Sequence, residues 1–176
     1  SDRSALVAAG VDSKGKLTSA GSLTVKGDKA VLLQGNIVAK DELAATGSTL
    51  DLSHSNIEAK NITLIASAAD IRTQEAHLLA INRATLTAKR DIDNQKGEIV
   101  ADQLTLTAPE FLDNQQGQLL SGQHLNVNTQ QLNNTNGIIQ GINRVELAVK
   151  QQIENQQGWI KANGNLDIAA QRIDNK

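Results

Sequence analysis

The chain has 176 residues, 17 basic against 19 acidic, with no cysteine, methionine or tyrosine and only one phenylalanine, one tryptophan and one proline (Phe111, Trp159, Pro109). The charge is spread evenly with no basic run, which argues against nucleic acid as a partner, and no apolar stretch reaches the ~20 residues of a membrane span. A core almost free of aromatics must be built from Leu, Ile, Val and Ala, which predicts one that is thin and long.

The absence of cysteine fits a reducing compartment or an exported protein that does not depend on disulfides. The chain begins without a signal peptide, at SDRSALVAAG, and stops inside a repeat, at IDNK; a segment of something longer is expected. From Leu23 onward, apolar residues recur at a fixed step. One column reads Ile37, Ile57, Leu78, Ile99, Leu119, Ile139 and Ile160. Two residues after it runs a column of small side chains: Ala39, Ala59, Ala80, Ala101, Ser121, Gly141 and Ala162. A second apolar column holds Leu23, Leu43, Ile62, Ala84, Leu104, Leu125, Val145 and Leu166, and a third holds Leu50, Ile71, Ile92, Leu112, Leu132, Ile153 and Ile173.

Each column lies in a short alternating segment such as Leu104–Leu106, the mark of a strand with one buried face. A period of 20–21 residues holding three such segments has no room for an α-helix and lacks the pattern of leucine-rich repeats. The expected fold is all-β: a parallel β-helix of about 8 coils, each of three short strands joined by tight turns, with right-handed winding by the rule for parallel crossovers. Coils stacked at ~4.8 Å make a rod on the order of 40 Å long.

In the second half the period carries a turn motif: IDNQKGEI, LDNQQGQL, LNNTNGII and IENQQGWI. Its asparagines are Asn94, Asn114, Asn134, Asn155 and Asn175, and its glycines Gly97, Gly117, Gly137 and Gly158. Asn and Gly tolerate left-handed backbone best, so they are expected to turn the chain sharply there, with the asparagines stacked as a hydrogen-bonded ladder. Residues 51–56 and 72–76 stand at the same place without the motif. Residues 1–88 are therefore read as divergent coils and 89–176 as regular coils of one continuous β-helix.

These repeats, of the form LDNxxGxLxxxxxLxLxA after an opening SALVAAGVDSKGKLTSAGSLTV, resemble the haemagglutinin-type repeats of two-partner-secreted exoproteins. That group includes filamentous haemagglutinin adhesins and the toxin carriers of contact-dependent growth inhibition. The resemblance covers essentially the whole chain. It implies a right-handed β-helical filament, exported by a dedicated outer-membrane transporter and displayed on, or released from, a Gram-negative cell. Neither that family's secretion domain nor a toxin module is present, so the resemblance assigns this chain to the shaft.

Several residues could carry chemistry, and each also has a plainer role. Asp93, Asp113, Glu154 and Asp174 share one register position, beside inward residues and near a turn, where exposure is expected. Stacked carboxylates suit the acid/base chemistry of polysaccharide-cleaving β-helices, but both Asp and Asn suit turns and no Arg or Lys cluster accompanies them. No catalytic residue, cofactor or metal is expected. His54, His77 and His124 share no column, lie far apart in the repeat and read as solvated surface residues. Trp159 and Phe111 are expected to point outward, the only candidates for anchoring a glycan or protein. The reading is a rigid extracellular spacer, the alternatives being a shaft that itself binds a glycan or receptor on a host or target cell, and an enzyme. The two open edges predict end-to-end association, or an irregular cap at Ser1–Leu17.

Overall fold

Residues 2–176 form a parallel β-solenoid of about nine turns, described by a computed structural model; Ser1, at the start of the predicted cap, lies outside the described residues. Every strand pairing is parallel, and each strand between the first and last coils sits between its counterparts one coil below and one above. No helix occurs among the described residues.

Three faces enclose the interior. The first runs from Lys16–Ser19 up to Trp159–Ala162, the second from Arg3–Ala8 up to Asn165–Ala169, and the third from Val11–Ser13 up to Arg172–Asp174. The columns read from the sequence are these inward positions. Ile37, Ile57, Leu78, Ile99, Leu119 and Ile139 stack on one another, each essentially without solvent exposure. Burying such a side chain is worth about 1.5–3 kcal/mol, so the aliphatic stacks dominate the stability of the rod. The second face carries two inward apolar columns rather than one. Val25, Ala45, Leu64, Leu86, Leu106, Val127 and Leu147 are as buried as Leu23, Leu43 or Leu125, two residues before them.

Tight turns do not separate all three strands. Glu98–Asp113 and Gln118–Asn133 each run as one 16-residue strand across all three faces. Two of the three corners are bends inside a strand, marked by register shifts between Ala101 and Gln103 and between Ala108 and Phe111. A bulge of this kind bends a strand without ending its pairing. The bends also explain why the period alternates between 20 and 21. Ala101–Gln103 pairs with Ser121–His124, one residue longer, and the difference is taken up at the bend. Pro109 sits at the second bend, exposed, where its missing N–H leaves no gap in the ladder.

The first coil is no cap. Arg3–Ala8 and Val11–Ser13 pair in register with the coil above, and the Ser22 N–H donates to the Asp2 carbonyl at 3.0 Å. That extra coil accounts for nine turns where eight were expected. Both ends leave their stacks open. Leu6 is 37% exposed at one end, and Leu166 and Ile173 are 43% and 49% exposed at the other.

Candidate functional site

The single tight turn of each regular coil is the segment D-N-x-x-G, and each of its residues has a separate duty. The first closes the turn on its own backbone: Asp93 Oδ1 accepts the Gln95 N–H, Asp113 Oδ1 the Gln115 N–H, and Asn133 Oδ1 the Thr135 N–H, at 3.0–3.1 Å. Asp51 does the same for Ser53 in the divergent half. This is the Asx-turn geometry, available to Asp and Asn alike.

The second residue points inward. Asn94, Asn114, Asn134 and Asn155 are buried, and their amides run as one chain. Asn94 Nδ2 donates to Asn114 Oδ1 at 2.8 Å, Asn114 to Asn134 and Asn134 to Asn155 at 2.7 Å, and Asn155 to Asn175 at 2.6 Å. The other amide hydrogen of each goes to the carbonyl three residues on, as from Asn94 to Gly97 at 3.2 Å. Below Asn94 the column holds Thr73, whose hydroxyl donates to Asn94 Oδ1 at 2.7 Å. Lower still it becomes apolar, with Leu52 and Leu33 fully buried. The ladder thus has a hydroxyl foot and a uniform direction as far as Asn175.

Neither the motif's second-position asparagine nor its glycine supplies the left-handed residue of this turn. That residue is the fourth: Lys96, Gln116, Asn136 and Gln157 have φ of 54–56°. Glu75 and His54 take the same conformation in the divergent half, with φ of 52° and 61°. The glycine is there for space. A Cβ on Gly117 would meet the Asn94 carbonyl oxygen one coil below and the Asn114 amide oxygen folded beneath it at 2.6 Å. Where the corner residue is Leu52 or Thr73, the glycine position carries Ser55 or Ala76 instead.

The carboxylates of this corner are less exposed than expected. Asp113 is buried and Asp93 half-buried. Their second oxygens accept from glutamines of the coil below: Gln74 Nε2 to Asp93 Oδ2 at 2.6 Å and Gln95 Nε2 to Asp113 Oδ2 at 2.8 Å. Burial raises the Asp93 carboxyl above its usual range, opposed by the Gln95 N–H and reinforced by Asp113. Asp91, on the neighbouring bend, is raised by burial and by Asp70 and Glu110, with Arg90 opposing. Asp93 and Asp113 stand in register one coil apart, so the stacking exists, but their oxygens are engaged by the turn and the glutamines.

Of the two aromatics, Trp159 is 65% exposed and pairs in register with half-buried Ile138. Phe111 is only half-exposed; it lines a small recess with Gln131, Leu132, Gln152 and Glu154. It is not the free aromatic that its register position predicts. All three histidines are exposed, as expected, but two of them are not far apart. His124 stands apart, but His54 and His77 line one depression on the tight corner, with Glu75 between them. They belong to different columns, and the turn brings those columns to the same edge. His54 Nδ1 lies 3.5 Å from Glu75, and His77 Nδ1 lies 3.6 Å from Glu98. The signal was present in the sequence, since His54 and His77 are one period plus two residues apart.

Comparison with known proteins follows from this geometry. The family model described as "Haemagglutinin repeat" matches residues 7–96, 55–108 and 99–176. Toxin CdiA of Yersinia pestis is 34% identical over 175 residues, which is 98% of this chain and 5% of that protein. The chain therefore spans a small fraction of this curated relative. No solved structure matches.

Proposed function

The chain belongs to the haemagglutinin repeat family, and from that premise we propose that it is a shaft segment of a large secreted surface protein, holding other regions at a distance from a Gram-negative cell. One observation carries the reading: pairing and aliphatic stacking continue on all three faces from the first coil to the last. Such a body has no hinge. Bending it means opening strand pairs and stacked side chains together, so it transmits position as a rod does. Residues 1–88 and 89–176 act as one spacer, the first half with varied corners and the second with the ladder.

The same reading places the segment outside the cell, exported through an outer-membrane transporter, in an adhesin or a carrier of a growth-inhibiting toxin. It gives the segment no enzymatic step, since Asp93 and Asp113 serve the turn. The test is a graft. This segment replaces an equal number of coils in a two-partner-secreted exoprotein, and receptor engagement at the tip is measured. Undiminished secretion and engagement are expected. Loss of engagement with normal secretion would show that coils are not interchangeable spacers.

A second reading rests on Trp159, exposed beside Ile138: the shaft itself holds a glycan or receptor there. Glycan-array screening of the chain and of Trp159→Ala separates the two, because a pure spacer gives no signal from either.

A further inference from the structure

The tight corner changes length once along the rod. Ser13 pairs with Leu33 and Lys16 with Asn36, leaving two residues between the paired ends in each of these coils. In the next coil, three residues stand between Leu52 and Asn56, and three again between Thr73 and His77. The added residue gives the corner its left-handed position, first occupied by a non-glycine residue at His54. Longer corners overhang shorter ones, and the step between them is a depression of about 380 Å³. Lys14, Lys16 and Asn36 line it from the short coils, and His54, Asn56 and His77 from the long ones.

We propose that this step binds an acidic sugar of the uronate class, as one residue of a glycan. No apolar side chain lines the depression, which disfavours a hydrophobic peptide. The depression is broad and open rather than enclosed, as suits one residue of a longer chain lying across it. Lys14 and Lys16 put two ammonium groups on the short-coil side to meet a sugar carboxylate, while Glu75, and Glu98 beside His77, lie on the long-coil side where sugar hydroxyls can donate to them. The Asn36 and Asn56 amides both donate and accept, as hydroxyl groups require, and the imidazoles offer flat faces to pyranose C–H groups. A metal ion is a poorer occupant, because no grouping of three His, Asp or Glu suited to one occurs among the described residues. This site is independent of the spacer reading, which holds with or without it.

The test is an NMR titration of the 176-residue chain with galacturonate, with galactose and inorganic phosphate as parallel probes. Galacturonate is expected to shift the His54 and His77 imidazole signals, saturating at millimolar concentration, with galactose and phosphate each weaker by about tenfold or more. His54→Asn with His77→Asn is expected to weaken binding by a similar factor. Asparagine already stands in both columns, as Asn136 and Asn56, so the corner retains its fold. Lys16→Gln gives an independent check, with circular dichroism reporting the fold of each variant. No response to galacturonate, an equal response to galactose or phosphate, or binding unchanged in the folded variants would overturn the proposal.

Discussion

At the scale of single residues, the buried asparagines tie polar satisfaction to position. Asn114 donates upward to Asn134 and accepts from Asn94, so removing it strands two buried groups, while the Thr73 hydroxyl at the foot touches one amide of the ladder, Asn94 Oδ1 at 2.7 Å, with the Asp93 carbonyl farther off at 3.3 Å. An unpaired buried donor or acceptor costs about 1–3 kcal/mol, so Asn114→Ala is expected to destabilise by about 2–5 kcal/mol and Thr73→Val by about 1–3. Urea midpoints at fixed pH measure both. Equal losses would mean that the amides are not coupled as a directional chain. The asparagine spacing was legible in the sequence. Their burial was not, because an Asn beside an Asp before a glycine reads as a turn residue whichever way its amide points.

Asp93 gives a prediction with a sign. Its folded pKa is raised above 3.8, chiefly by burial, so the proton binds more tightly in the folded state. The associated stability is fully present below pH 3.8 and is lost as pH rises through the folded pKa. Asn133 closes the same turn without a charge. Asp93→Asn is therefore expected to gain on the parent chain as pH is raised from 3 to 7, with the two closest at the acid end. Thermal unfolding across that range checks it, and a gain at low pH instead would reverse the assignment.

At the scale of the element, the turn divides between two residues the two requirements that a glycine can meet alone. The left-handed residue is Gln116, where an ordinary side chain is strained by about 1–2 kcal/mol. The crowded one is Gly117, over the Asn94 carbonyl oxygen. Gln116→Gly is expected to be neutral or stabilising by up to about 1 kcal/mol, part of the relieved strain being offset by a more flexible unfolded chain. Gly117→Ala is expected to destabilise by about 1–3 kcal/mol through overpacking. Denaturation of the two variants decides which residue carries which duty. Composition could not separate them, since glycine serves both needs; the pairing of Gly with Asn, and of Ser55 or Ala76 with Leu52 or Thr73, was the trace left in the sequence. The strands divide similarly. Periodicity marked the inward positions, but it was blind to whether a corner is a turn or a bend within Glu98–Asp113.

At the scale of the whole molecule, contacts run from coil to coil, so the period is a unit of length that can be added or removed. Deleting residues 114–133 joins Asp113 to Asn134 and returns every column to register, with Asn94 facing Asn134 across the new junction. The product is expected to keep its β-sheet circular dichroism and to shorten by ~4.8 Å in small-angle scattering. Deleting 114–123 removes half a period and sets inward columns against outward ones, so it is expected to lose the cooperative transition. The contrast is sharper than any single substitution because it leaves composition nearly unchanged and alters only phase. If both deletions unfold alike, the corners rather than the stacked columns hold the rod, and the spacer reading loses its physical basis. If only the half-period deletion unfolds, a shaft of this kind can be lengthened or shortened in whole coils without a new core having to be built.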